Sequence, residues 1–209
     1  MDRIVAASLD EGSVHLVMDM GTAGGMEADL VLTENEADLA VDMIVDFDGD
    51  EMKIVLVKEK WYVHSADLGD RWIVSDPDDP DDPFGAAISE MGSLNPASQA
   101  EDIKPAVTDV KKIGEEKLAG TSTTHYEVTV DPEKVPEDAG IDPEILKKVD
   151  LEDGLVYDYW LDADDLMQKV SFGIAGQSFE MIMTGWGETY EIEAPKDAMT
   201  FAELMQSPA

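Results

Sequence analysis

With 209 residues, 44% of them hydrophobic, the chain is long enough to bury a real core, so disorder of the whole chain is excluded. Its 48 acidic residues against 14 basic ones leave a formal net charge of −34, which repels nucleic acid, and its only arginines, Arg3 and Arg71, cannot form a phosphate clamp. The absence of cysteine removes disulfides, thiolate metal sites and cysteine nucleophiles together.

The chain opens MDRIVAASLDEGSVHL, in which DRIVAASL reads as the last turns of a helix entered midway, as in a form trimmed at its N-terminus. Neither a signal-peptide pattern nor an apolar run near the roughly 20 residues of a membrane-spanning helix is present. Strict alternation follows: Val14, Leu16, Met18 and Met20 against His15 and Asp19, then Met26, Ala28, Leu30 and Leu32 against Glu27 and Asp29. From Ala37 the odd positions Ala37, Leu39, Val41, Met43, Val45 and Phe47 face away from Asp38, Asp42 and Asp46. Period two of this kind predicts strands with one dry face and one wet face. The Asp48-Gly49 pair predicts a tight hairpin into Met52, Ile54 and Leu56.

Residues 76–84, DPDDPDDPF, predict a stiff, water-loving strap, because each proline disfavours strand pairing and keeps successive carboxylates from converging on a cation. Phe84 at its end is expected to tuck the following helix into the apolar side. Helices are predicted at 84–92, 96–103 and 142–149, with one further turn at 132–138; Pro143 suits a first helical position. Alternation returns at Tyr126, Val128 and Val130, at Tyr157, Tyr159 and Leu161, at Val170, Phe172 and Ile174, and at Phe179, Met181 and Met183.

The count is about ten strands, mostly joined by short turns, which favours an antiparallel meander. At about 4.8 Å per strand such a sheet is nearly 50 Å wide, whereas one helix covers about 10 Å. A few short helices cannot cover that apolar face, so the sheet must curl around them, close, dimerise or leave an apolar cavity.

No catalytic constellation stands out: His15, His64 and His125 fall on polar or strand-end positions, and no nucleophile elbow or phosphate loop follows a strand. DFDGD at 46–50 and DADD at 162–165 resemble calcium-binding runs but lack the spacing of a twelve-residue loop, and their flanks favour hairpins. Seven of the 12 methionines, Met18, Met20, Met26, Met43, Met52, Met181 and Met183, lie on the apolar phase of their strands, where a thioether suits either core filling or a flexible ligand.

Four phrases in succession, EKWYVHSADLGDRWIVSD, VKKIGEEKLAGTSTTHYEVTVD, DYWLDADDLMQKVSF and GWGETYEIEAPKDA, resemble the actinobacterial LppX/LprA/LprF/LprG lipoproteins of the LolA-like superfamily. The resemblance runs over most of the chain. It implies an α+β fold in one domain spanning 1–209: a single curved antiparallel sheet, an incomplete barrel, with a few helices in its concave side and a helical crossover about 76–104. It also implies a non-enzymatic protein without cofactor or bound metal, holding acyl chains or a lipidated molecule in an apolar cavity. The precursor would be secreted and lipid-anchored on the outer face of the cell membrane, through a cysteine that this chain does not contain. The positions expected to line the cavity are Leu16, Met18, Leu30, Leu39, Met43, Ile54, Leu56, Val128, Phe172, Met181 and Met183, with Phe84 at the rim. The competing expectation is a surface interaction or sensor module whose concave side is filled by its own helices.

Overall fold

The computed structural model describes residues 1–19, 21, 24–47, 49–77, 82, 84–85, 88, 95–135, 154–174 and 176–206. It opens with α1 (Asp2–Glu11), whose Ile4 and Ser8, one turn apart, form the buried stripe. The helix stops because Gly12 takes φ 74°, a left-handed conformation that glycine enters without cost, and its N–H donates to the Ser8 carbonyl. The Gly12 carbonyl then accepts from Leu32 N–H at 2.8 Å, tying the end of the helix to the sheet.

Twelve strands follow: β1 (Ser13–Asp19), β2 (Gly25–Val31), β3 (Ala40–Phe47), β4 (Asp50–Val57), β5 (Lys60–Ser65), β6 (Ile73–Ser75), β7 (Val107–Leu118), β8 (Thr121–Val130), β9 (Leu155–Leu161), β10 (Met167–Ile174), β11 (Gln177–Thr184) and β12 (Met199–Thr200). They form one open sheet in the order β12-β6-β5-β4-β3-β2-β1-β11-β10-β9-β8-β7. Every pairing is antiparallel except that of β12 with β6. The count exceeds the expected ten because alternation marks neither the two-residue β12 nor β7, whose TDVKKIGEEK is polar at almost every position.

Registers explain why the alternation works. Ile73, Val63, Ile54, Met43, Ala28, Leu16 and Met183 sit opposite one another in turn across seven strands, and none is more than 3% exposed. A slip of one residue in any strand would turn its members of this row to the wet face, so the row specifies the register. α1 and α2 (Pro96–Ile103) cover this inner face, with Ile4 and Ile103 in the same apolar cluster as Leu16, Leu30 and Met43. Leu118 and Thr121 close the long β7–β8 hairpin through Ala119 and Gly120, both at positive φ. α3 (Phe201–Gln206) ends the described chain.

Two boundaries differ from the sequence reading. The strand expected from Ala37 starts at Ala40, because Asn35 bends the preceding segment: its carbonyl accepts from Asp38 N–H, its side chain donates to the Asp38 carboxylate, and residues 36–38 form a 3-10 turn. Of the turn predicted at 132–138, Pro132–Lys134 form a 3-10 turn, capped by the Asp131 carboxylate accepting from Glu133 N–H, while 136–138 lie outside the described residues. The helix at 96–103 is found. Of the one at 84–92, Gly85 and Ile88 are helical and Ile88 N–H donates to Phe84 O, while its other residues and the helix expected at 142–149 lie outside the described residues. Both hairpin readings hold: Phe47 pairs with Asp50, and Asp162 caps the β9–β10 turn by accepting from the N–H groups of Asp164 and Leu166.

Candidate functional site

The inner face has two unlike parts. Over β1–β5 it is sealed: Leu16, Leu30, Met43 and Ile54 are at most 2% exposed, Leu56 is 8% exposed, and Leu39, just ahead of β3, is also buried. Met183 and Met181 continue this surface onto β11, and Met18 lies half-buried opposite Met181.

Over β7–β11 the face carries an apolar row instead. Val110, Val128, Tyr157, Phe172 and Phe179 are opposite one another in turn, on five successive strands. Its centre is buried, with Val128 and Tyr157 at 3% and 6% exposure, and its ends are open: Val110 is 55% exposed, Phe172 and Phe179 half-buried. The aromatic members are in contact, Tyr157 tilted against Phe172 and Phe172 stacked on Phe179, each at 5.0 Å between ring centres. Such a surface offers contact to apolar matter and no nucleophile. The two tyrosines, Tyr157 and Tyr159, stay neutral phenols because burial pushes their ionisation well above its ordinary range.

Of the twelve expected positions, Val128 and Phe172 thus fall in this row, and ten do not. Phe84 sits half-buried at the start of a helical turn, its N–H donated to the Asp82 carboxylate at 2.9 Å. Two grooves open on the described surface, and none of the twelve lines either. One, of about 440 Å³, lies along α1 with Val5, Ala6 and Leu9 as its floor and Asp2, Asp10, Glu34 and Glu101 around it. The other, of about 310 Å³, runs between Val57, Lys60 and Tyr62 and the returning segment Ile192–Ala194.

The acidic strap needs a correction. Asp82 is 7% exposed, and its two carboxylate oxygens accept from Asp76 N–H and Phe84 N–H, both at 2.9 Å. It folds the strap back on itself; the same closeness is why residue 85 is glycine, since a Cβ there would meet the Asp76 carbonyl at 2.5 Å. Asp82 is therefore no part of a uniformly solvated run. The signal is present in the sequence Asp-Pro at 82–83, a pair that favours a helix N-cap followed by a first helical position.

The outer face holds features that alternation did not disclose. His125 stacks on Trp160 with ring centres 4.3 Å apart, and its ring nitrogens lie 2.7 Å from Asp158 and 3.2 Å from Glu116. Trp160 Nε1–H donates to the same Glu116 carboxylate at 2.6 Å, while Lys169 sits 4.8 Å over the indole and pairs with Glu180. This cluster fastens β7 to β10 from outside. His15 similarly meets Asp29 at 2.7 Å. Among the described residues no group of three or more histidine, aspartate or glutamate side chains is arranged to hold a metal ion.

An open antiparallel sheet, dry on the side that carries its helices, wet on the other and lined in part by a half-buried aromatic row, defines a scaffold for apolar contact. The chain has the LppX/LprF type of LolA-like fold. It is similar to LprF from Mycobacterium bovis, with a TM-score of 0.63 and 13% identity, over 93% of this chain and 94% of that one. It is also similar to the lipoprotein LppX from Mycobacterium tuberculosis, with a TM-score of 0.57 and 15% identity, over 92% and 95% of the two chains. At these identities the likeness is one of fold. No family model and no curated protein matches the sequence.

Proposed function

We propose that the chain is a non-enzymatic lipid-binding lipoprotein of the cell envelope, acting as one domain over 1–209 and holding an acyl chain or lipidated molecule against its inner face. The observation that carries this reading is the row Val110, Val128, Tyr157, Phe172 and Phe179: apolar throughout, buried at its centre and open at its ends. Each methylene removed from water contributes about 0.8 kcal/mol, so a long chain laid along such a row needs no polar contact to bind. The methionines Met18 and Met181, opposite one another on β1 and β11, share this face and would adapt to a flexible tail, with Phe84 proposed at the rim. Anchoring on the outer face of the membrane, through a lipidated cysteine in a longer precursor, completes the reading.

Native mass spectrometry of protein purified without detergent, beside a lipid extract of the same sample, tests it. Bound lipid and saturable uptake of a fluorescent acyl probe are expected; their joint absence overturns the proposal.

A second reading has its own support. The sealing of Leu16, Leu30, Met43, Ile54 and Met183, none of which lines either groove described above, favours a module whose core is filled by its own side chains and which meets a partner on its surface. The same uptake experiment separates the two.

A further inference from the structure

β7 ends the sheet, and among the described residues nothing pairs with its far side along its 12 residues. Its Val110 and Ile113, at 55% and 45%, are the most exposed large apolar side chains of any described strand. The chain as a whole carries −34, yet this strand is formally neutral, with Lys111, Lys112 and Lys117 against Asp109, Glu115 and Glu116.

Lysines and bulges on an open edge ordinarily discourage pairing with another strand. Here their arrangement has a different property. KKIGEE is antisymmetric in charge about the Ile113–Gly114 bond, so when a second copy runs antiparallel across that point, Lys112 meets Glu115 and Lys111 meets Glu116, each twice. In a regular strand these partners, three and five positions apart, would point to opposite faces and never meet. The bulge removes that obstacle. Against β8, Lys112 is opposite Tyr126 and Gly114 opposite His125, with Ile113 skipped. Past the skip, Glu115 is opposite Thr124 and so shares the inner face with Lys112, while Glu116, opposite Thr123, shares the outer face with Lys111. A two-fold axis perpendicular to the sheet preserves faces, so all four pairs close in one register. Gly114 stands opposite the bulged Ile113 and leaves it room.

The present partners do not forbid this. Lys111 reaches Glu127 at 3.4 Å and Lys112 reaches Glu115 at 3.0 Å, exposed pairs of the kind that contribute little and exchange readily. Glu116 is held in place by Trp160 and His125.

We propose that the β7 edge is the interface of a homodimer, in which two copies join antiparallel around Ile113–Gly114 and continue one sheet into the other. Opposed charge pairs set the register, and Val110 and Ile113 lose their exposure. The net charges of the two bodies repel, but at about 0.15 M salt the screening length of about 8 Å confines that repulsion, while pairs in contact persist.

Sedimentation of the full chain at about 0.15 M salt tests the proposal, with the single variants Lys112→Glu and Glu115→Lys, both altering exposed side chains. Wild type is expected to dimerise reversibly and each variant alone to dimerise at least tenfold more weakly. An equimolar mixture of the two is expected to recover the dimer, because positions 112 and 115 then again bring opposite charges together across the two-fold axis. A wild type that stays monomeric to millimolar concentration overturns the proposal, as does a dimer indifferent to both variants or a mixture that recovers nothing while each variant keeps the wild-type circular dichroism. A monomer that instead floats with anionic vesicles would assign the edge to a membrane and equally overturn it.

Discussion

The two ends of the sheet are built from the same alternating strands and come out differently. Over β1–β6 every inner position finds a partner: the row from Ile73 to Leu16 is closed, and α1 and α2 lie over the same apolar cluster. The returning segment Ile192–Ala194 borders the outer side there, where Tyr62 and Val55 are buried although their positions belong to the wet face. Over β7–β10 the inner row runs out to an exposed valine, and β7 shows solvent on both faces. One end is organised for stability. The other retains apolar surface that folding has not used, which is where a ligand or a second chain gains most from contact.

Substitutions at the two ends should therefore separate stability from binding. The largest effect is expected at the sealed end. Met43→Ala removes a side chain with no exposure from the middle of the closed row, and a loss of about 2–5 kcal/mol in denaturant unfolding is expected. A loss below about 1 kcal/mol would mean that the row has slack and that the two ends are alike.

Next comes the strap that joins them. Asp82→Ala removes the buried carboxylate that accepts from the part-buried N–H groups of Asp76 and Phe84, and about 1–3 kcal/mol of destabilisation is expected from thermal or chemical melts. An effect below about 0.5 kcal/mol would return the strap to a uniformly solvated one.

At the open end, Phe172→Asp should cost at least tenfold in uptake of an acyl probe, about 1.4 kcal/mol, while the melting transition moves less than for Met43→Ala. If both properties fall together, the aromatic row is ordinary core. The comparison with Phe84→Asp tells whether the rim takes part.

The smallest effect has the opposite sign. Asp42 reaches solvent but is partly stripped of water, and it stands directly opposite Asp29; loss of hydration first and the neighbouring carboxylate second hold its proton affinity above the ordinary carboxylate value of 3.8. The folded state then binds more protons than the unfolded chain between that value and the raised one, so stability falls as pH rises through this window. Asp42→Asn should flatten that slope and leave the protein more stable at neutral pH, as read from melts at a series of pH values. An unchanged slope would remove Asp42 as a source of strain at the sealed end.

Much of this architecture is legible beforehand, because alternation is a local consequence of the pleat: Leu16, Leu30, Met43, Ile54, Val128 and Met183 each announce the dry face from their own neighbours. The hairpins at Gly49 and Asp162 are equally local, since a tight turn is specified by the residues inside it. Asp82 is legible in principle as a cap, but it stands among four other aspartates that mask it.

What local pattern leaves open is which strands lie side by side. Nothing near Leu16 says that it will face Met183, and nothing near Val128 says that Tyr157 and Phe172 will extend it into a row that opens at its ends. Strand order also decides that β7 has no neighbour on one side among the described residues, and a bulge at Ile113 decides which of its charges share a face. Alternation along the chain is set by bond geometry over a few residues, whereas exposure depends on what arrives from far away in sequence to cover it. The sequence alone therefore established a one-sided antiparallel sheet with too few helices to cover it, and only the tertiary structure showed which end of that sheet stays open.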